Sequence, residues 1–407
     1  FFVHVWACTG LIAGKQATVD GSVLVTYSAD SHTLYGALTS SPAADWPKGS
    51  MRSIVEWDTN KPLGEIEQVE HTYAVIGNMN EHQLTVVEST WGGRPELVDT
   101  TGIIDYGSLM QLALERAKTA REAIKVMTGL VKKYGYYSSG ESFTIADPNE
   151  AWILDLIGKG PGRRGAVWVA VRIPDDCIAG HANYPRIHKI PMDDKENCLY
   201  SPDVISFARE MGYFDGLNKD FSFARAYSPA DFGALRACDA RVWSFFRKYD
   251  SSMDNYLPYV NGESAEPFPL YVKPSRKLSV QDMKEAMRDH FEDTPFDMTQ
   301  DVGAGPFKVP YRFRPMSFEV DGKSYCMERA IATQQTGFTL VGQMRNWLPD
   351  PVGGVLWFGV DDANTCVYIP MYCGITQVPE CFSPENGSMY DFSWTSAFWI
   401  HNWVANM

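Results

Sequence analysis

The sequence predicts a layered α+β protein, with antiparallel sheets packed together and helices outside them. Three observations carry this. Short apolar runs bounded by turn signals read as strands. Longer stretches with helical spacing fall into blocks of their own. The two kinds of block alternate along the chain, and each apolar face must be buried against another layer.

The opening run 8–13 (Cys-Thr-Gly-Leu-Ile-Ala) reads as a strand, Asp20-Gly21 as a turn and 23–27 as the returning strand. Together they form a hairpin. Strands follow over 72–76 and 83–87, then a helical region over 106–134. Its second half opens on Thr119-Ala120-Arg121-Glu122, a capping box, and closes at Gly135. Strands return over 142–146, 151–157 and 166–171, the first two joined by the turn Asp147-Pro148-Asn149. Helices are expected over 201–211, 229–248 and 279–292, with a Pro-rich surface excursion over 263–277. The last strands are expected over 337–340, 352–358 and 366–369. From 392 to 407 there is no Asp, Glu, Lys or Arg, and Trp394, Phe398, Trp399, Trp403 and Met407 follow helical spacing. Without a Gly or Pro stop signal, this end reads either as a truncated chain or as a terminal core helix. One domain is expected over 8–407.

The 407 residues are 45% hydrophobic and 21% charged, ordinary for a globular protein. The net charge of −14 argues against nucleic-acid binding, which needs clustered Lys and Arg. Only pairs such as Lys132-Lys133 and Arg163-Arg164 occur. No apolar run is long enough for a membrane span. The eight cysteines form no Cys-x-x-Cys, so a zinc site is not expected. Buried free thiols are the default for most of them, with pairing among Cys366, Cys373 and Cys381 left open.

Cys8 stands out through its surroundings. Upstream lies the mostly apolar stub Phe1-Phe2-Val3-His4-Val5-Trp6-Ala7, and Val5-x-Ala7 has the small-residue pattern of a signal-peptidase site. Residues 1–7 therefore read as the end of a signal peptide, and the protein as exported, periplasmic or extracellular. Cleavage after Ala7 would give Cys8 a free α-amine. That amine titrates near ~7.7–8.0 and can act as a base beside the thiol. Nucleophile and base on one residue is the chemistry of an N-terminal-nucleophile hydrolase.

Other motifs have plainer readings. The Gly-x-Gly-x-x-Gly match over 160–165 precedes a strand, not a helix, and reads as a hairpin loop. His181 and His188 lack metal-ligand spacing, Asp175-Asp176 reads as a solvated turn, and Asn386-Gly387-Ser388 as a turn despite matching a glycosylation sequon. Asp30, Asn183 and Arg241 are unremarkable in isolation, although a side-chain amide at Asn183 could donate to an oxyanion.

Taken in order, several segments resemble the cysteine N-terminal-nucleophile dipeptidases, relatives of penicillin V acylase and bile salt hydrolase. They are Cys8-Thr9-Gly10-Leu11-Ile12-Ala13-Gly14-Lys15 with Asp20-Gly21-Ser22, Asn80-Glu81-His82, Glu88-Ser89-Thr90-Trp91-Gly92-Gly93-Arg94, the run Ala146 to Trp152, Trp168-Val169-Ala170 through to Ala182-Asn183, Gln343-Met344-Arg345 and Trp357. The resemblance implies a four-layer αββα fold with the cysteine at the start of a central strand. It implies that Cys8 attacks the scissile carbonyl and that its amine shuttles the proton. Asn183 would line the oxyanion hole, with a backbone N–H near Thr90 as a weaker candidate. Asp30 would hold the α-amine, and Arg241 would be the basic residue near the thiolate, with Arg236 the runner-up. The family's Arg-Asn-x-Asp segment is Tyr27-Ser28-Ala29-Asp30 here, so the arginine is missing and Tyr27 could donate a hydrogen bond instead. The substrate would be a small peptide, no cofactor or metal is implied, and a homo-oligomer is left open. Two rivals remain: an acylase acting on N-acyl amino acids, and a non-catalytic lipoprotein lipidated on Cys8.

Overall fold

The structure, a computed structural model, describes residues 8–312 and 317–407. The stub 1–7, read above as the end of a signal peptide, lies outside the described residues.

Two large antiparallel sheets organise the chain. The first runs, edge to edge, through Tyr271–Val272, Ile178–His181, Thr9–Ala13, Val23–Asp30, Thr336–Met344, Val355–Val360 and Ile369–Tyr372. The expected hairpin is therefore central, with Ile12 opposite Val25. The second sheet runs through Cys198–Tyr200, Ala166–Ile173, Ala151–Gly158, Gly140–Ala146, Thr85–Trp91, Met79–Asn80, Val75–Ile76 and Ser40–Ser41.

Strand side chains alternate between faces, so each sheet can bury both. Ile12 and Val25 of the first sheet meet Val87, Ile153 and Val169 of the second in one core. On the outer faces, Leu11, Leu24 and Val341 pack on Val242 and Phe245 of the helix Ala240–Arg247 and Met283 of Val280–Ala286. Val86, Phe143 and Leu154 pack on Leu109 and Leu112 of Tyr106–Arg116 and on Ile124 and Met127 of Ala120–Tyr134. The result is helix, sheet, sheet, helix. Full burial of each such side chain contributes ~1.5–3 kcal/mol. A one-residue slip would exchange the faces, so the register is strongly held.

Several elements differ from expectation. The helical region 106–134 is two helices, because Asn80 Nδ2 bonds the carbonyls of Leu114 and Ala117 at 2.8 Å and satisfies the first helix's end. Thr119 accepts from the Glu122 N–H, but the Glu122 carboxylate takes the Lys118 N–H, so the box is not reciprocal. The helix closes at Gly135, with φ +81°. The strand expected at 83–87 runs over Thr85–Trp91 and that at 352–358 over Val355–Val360, behind a helical turn at Asp350–Gly353. The strand expected at 366–369 lies at Ile369–Tyr372, since Cys366 N–H turns back to the Asp362 carbonyl. The stretch 263–277 is anchored rather than superficial: Phe268 is buried, and Tyr271–Val272 borders the first sheet. A hairpin of Met51–Val55 and Pro62–Glu67 was not legible, since most of its residues are exposed and carry little alternation. The terminal helix is Ala397–Asn406; it buries only Phe398 fully, with Ala397 and Trp399 packed partly against the core, and is a surface element rather than a core helix. Cys366, Cys373 and Cys381 are free thiols, as are Cys8, Cys177, Cys198 and Cys238. The loop over 160–165 is the expected turn between two strands.

Candidate active site

Cys8 immediately precedes the strand Thr9–Ala13 and is 4% exposed. It opens into a cavity of about 230 Å³. The space exists because the strand Thr85–Trp91 pairs along its whole length with Gly140–Ala146, but on its other side only Thr85 is paired, with Met79. The free half of that edge faces Cys8, the helix Tyr106–Arg116 and the turn of the unexpected hairpin. Asp105 caps the helix and also accepts from Trp57 N–H at 2.9 Å, fixing that turn against the helix start. Gly107 allows the close approach, as a Cβ there would come within 2.5 Å of the Trp57 ring.

Tyr27, in the neighbouring strand, gives its one hydroxyl proton to Glu88 Oε1 in a very short hydrogen bond, and the same oxygen lies 3.7 Å from Cys8 Sγ, where it can accept from the thiol. Glu88 and Thr90 lie on one face of their strand, and Glu141 sits directly opposite Thr90. Thr90 Oγ1 donates to Glu141 Oε2 at 3.0 Å. Burial, followed by the charge of Glu88 within hydrogen-bond reach, raises the Glu141 carboxyl well above the usual range. Glu141 is thus held protonated beside Glu88. The Cys8 thiol is also raised, first by burial and then by the charges of Glu88 and Asp30, against a hydrogen bond from Asp30 N–H. With an internal Cys8, the sulfur is a neutral thiol.

Asp30 is fully buried. It accepts from Arg329 at 2.6 Å, Thr336 at 2.7 Å and Ser28 at 3.1 Å. Burial raises its carboxyl, although Arg329 and Thr336 oppose the shift. Arg241 is buried behind Cys8, and each of its five N–H groups has an oxygen acceptor. Nη1 takes the Cys8 carbonyl at 2.9 Å and Thr9 Oγ1 at 2.8 Å. Nη2 takes the Ala182 carbonyl at 3.1 Å and Asn183 Oδ1 at 2.8 Å, and Nε takes the Ala237 carbonyl at 2.8 Å. Arg241 therefore grips the backbone of Cys8 and has no donor left for its sulfur. Arg236 lies elsewhere, paired with Glu328 and Asn261.

Asn183 is in the left-handed region, with φ +58°. Its amide donates to the Thr90 carbonyl at 2.6 Å, leaving one N–H, and its backbone N–H reaches Ser89 Oγ at 3.1 Å. Ser89 in turn bonds His181 Nδ1 at 2.6 Å, and Thr144 bonds His181 Nε2 at 2.9 Å. Burial and the Arg241 charge push His181 down to about 3, so it stays neutral. Gly10 makes room for this ring: a Cβ there would lie 2.8 Å from His181 Nε2. His188 bonds Ser222. Among the described residues, no three His, Cys, Asp or Glu side chains are grouped to hold a metal.

The structure thus gathers Cys8, Tyr27, Asp30, Thr90, Asn183 and Arg241 around one end of the first strand. Sequence reasoning missed Glu88, Glu141, Asp58, Tyr106, Arg329 and His181 as parts of the site. One signal was available: a glutamate within the apolar run Val86-Val87-Glu88 is rarely buried without a reason.

Comparison with known proteins sets the class: the chain belongs to a family of peptidases. It is a member of peptidase family C69, whose pattern matches residues 7–407. It is 27% identical to a "Probable dipeptidase" of Salmonella dublin, over 91% of this chain and 81% of that protein. It is 24% identical to a "Probable dipeptidase" of Latilactobacillus sakei, over 99% of this chain and 81% of the relative. It is also 24% identical to "Dipeptidase A" of Lactobacillus helveticus, over 98% and 81%.

Proposed function

We propose that this protein is an exported cysteine dipeptidase of the N-terminal-nucleophile type. The observation that carries the reading is the position of Cys8, at the head of a central strand with its thiol open to the cavity. In the mature form, cleavage after Ala7 frees the Cys8 α-amine. The amine takes the thiol proton, and the thiolate adds to the scissile carbonyl. The remaining Asn183 N–H donates to the oxyanion. Collapse of the adduct breaks the C–N bond, the proton passes to the departing amine, and water hydrolyses the thioester. Asp30, already among three donors, orients the amine end of Cys8, and Arg241 holds the Cys8 carbonyl. In the uncleaved chain the raised thiol has no adjacent base, so the precursor is silent.

The family membership and the names of its relatives support the dipeptide substrate. The test has two parts. The N-terminal peptide of the exported protein should begin with unmodified Cys8, and Cys8→Ala should abolish dipeptide hydrolysis while the protein stays folded. A lipidated Cys8, or undiminished hydrolysis by the variant, would overturn the reading. Faster turnover of N-acyl amino acids than of any dipeptide would favour the acylase alternative.

A further inference from the structure

We propose that Glu88, assisted by Asp58, is the subsite for the substrate's α-ammonium group, so that the cavity selects peptides with a free N-terminus and an apolar first side chain. This rests on the reading of Cys8 as the nucleophile.

None of the cavity's lining residues is Lys, Arg or His, yet Asp58 and Glu88 both line it. Glu88 is 2% exposed, and apart from the carboxyl proton of Glu141 its Oε2 has no donor from the protein. A carboxylate offers about four acceptor sites. Tyr27 takes one and the protonated Glu141 can fill another, so acceptor capacity remains for a ligand. An acceptor buried without a cation is costly, and a ligand bringing N–H donors and positive charge removes that cost.

Position makes the ligand an α-ammonium. A single hydroxyl, that of Tyr27, spans Glu88 and Cys8 Sγ. In a dipeptide, one tetrahedral carbon separates the ammonium nitrogen from the carbonyl under attack. When that carbonyl meets the sulfur, an ammonium on the Tyr27 side of the cavity comes within reach of Glu88. Asp58 stands farther out, on the turn docked at the helix start, with its Oδ1 accepting from Tyr106 at 2.9 Å. Trp57, Tyr106, Phe338 and Phe358 give the same cavity an aromatic wall that suits an apolar side chain. The bound ammonium also offsets the Glu88 charge that opposes thiolate formation.

The experiment measures binding to the Cys8→Ala protein by calorimetry, which needs no turnover and leaves the rest of the cavity unaltered. The ligands are an apolar dipeptide, its N-acetyl derivative and its des-amino analogue. Hydrogen bonding to a charged group predicts that the free dipeptide binds roughly tenfold or more tightly than either analogue. Glu88→Gln on the same background should remove most of that ratio, and Asp58→Asn should reduce it less. Equal binding of the three ligands, or a ratio untouched in a folded Glu88→Gln protein, would overturn the subsite. If the ratio holds but Cys8-containing mature protein hydrolyses no dipeptide, the subsite stands and the catalytic reading fails.

Discussion

The two sides of Cys8 are built on opposite principles. Behind its backbone, Arg241 spends all five N–H groups on oxygens from the segments around Cys8, Ala182 and Ala237. In front of its sulfur lie Glu88, Glu141 and Asp58, and no cation lines the cavity. The first side is saturated and fixes geometry. The second leaves acceptors unfilled and adds the charge of Glu88 to the rise that burial gives the thiol. A charge near a buried thiol thus does different work according to whether its hydrogen-bonding capacity is already used. Arg241 has the charge a thiolate wants, but its donors hold the strand in place. Glu88 has the wrong charge for a thiolate, but it has capacity left for a ligand.

The largest effect is expected at Arg241. Arg241→Leu leaves several buried acceptors without donors, and urea unfolding should show a loss of at least ~3 kcal/mol. A loss below ~1 kcal/mol would mean that the clamp is not structural. Arg241→Lys, which supplies fewer donors, should fall between.

His181, which links the saturated side to the second sheet, sharpens the contrast through pH. Its folded-state value is about 3 against an ordinary 6.5, so its contribution is complete above pH 6.5. As pH falls from 6.5 towards 3, the unfolded state takes up a proton that the native ring refuses, and stability declines. Relative to His181→Asn, the wild type should lose about 2 kcal/mol between pH 7 and pH 5. A pH-independent difference between the two proteins would show that the ring titrates normally.

The smallest effect is expected at Glu141. Because it is held protonated beside Glu88, Glu141→Gln replaces one neutral group by another. The amide can still accept from Thr90 and donate to Glu88. Stability should change by less than about 1 kcal/mol. A loss of several kcal/mol would show that Glu141 carries charge and that the front side holds two carboxylates.

Much of the frame was legible. The opening hairpin, the paired strands after the second helix and the Gly135 helix stop are written in local pattern, because alternation, turn residues and a positive-φ glycine act within a few residues. The place of Cys8 at the head of a strand was legible because the apolar run that follows it is adjacent in sequence. Asp30 and Asn183 entered only through the order of several segments, since neither is unusual alone. The hairpin that supplies Trp57 and Asp58 was invisible, because exposed residues carry no alternation to read.

The sequence by itself determined the alternation of strand and helix blocks, and with it a layered α+β fold, and it placed Cys8 at the head of the opening strand. Tertiary structure alone decided which charges meet that cysteine. Arg329 reaches Asp30 across 299 positions, and Arg241 reaches Cys8 across 233. The physical reason is range. Hydrophobic periodicity is a local property that each segment carries by itself, whereas a buried charge takes its role from partners that only the stacking of two sheets brings within hydrogen-bond distance.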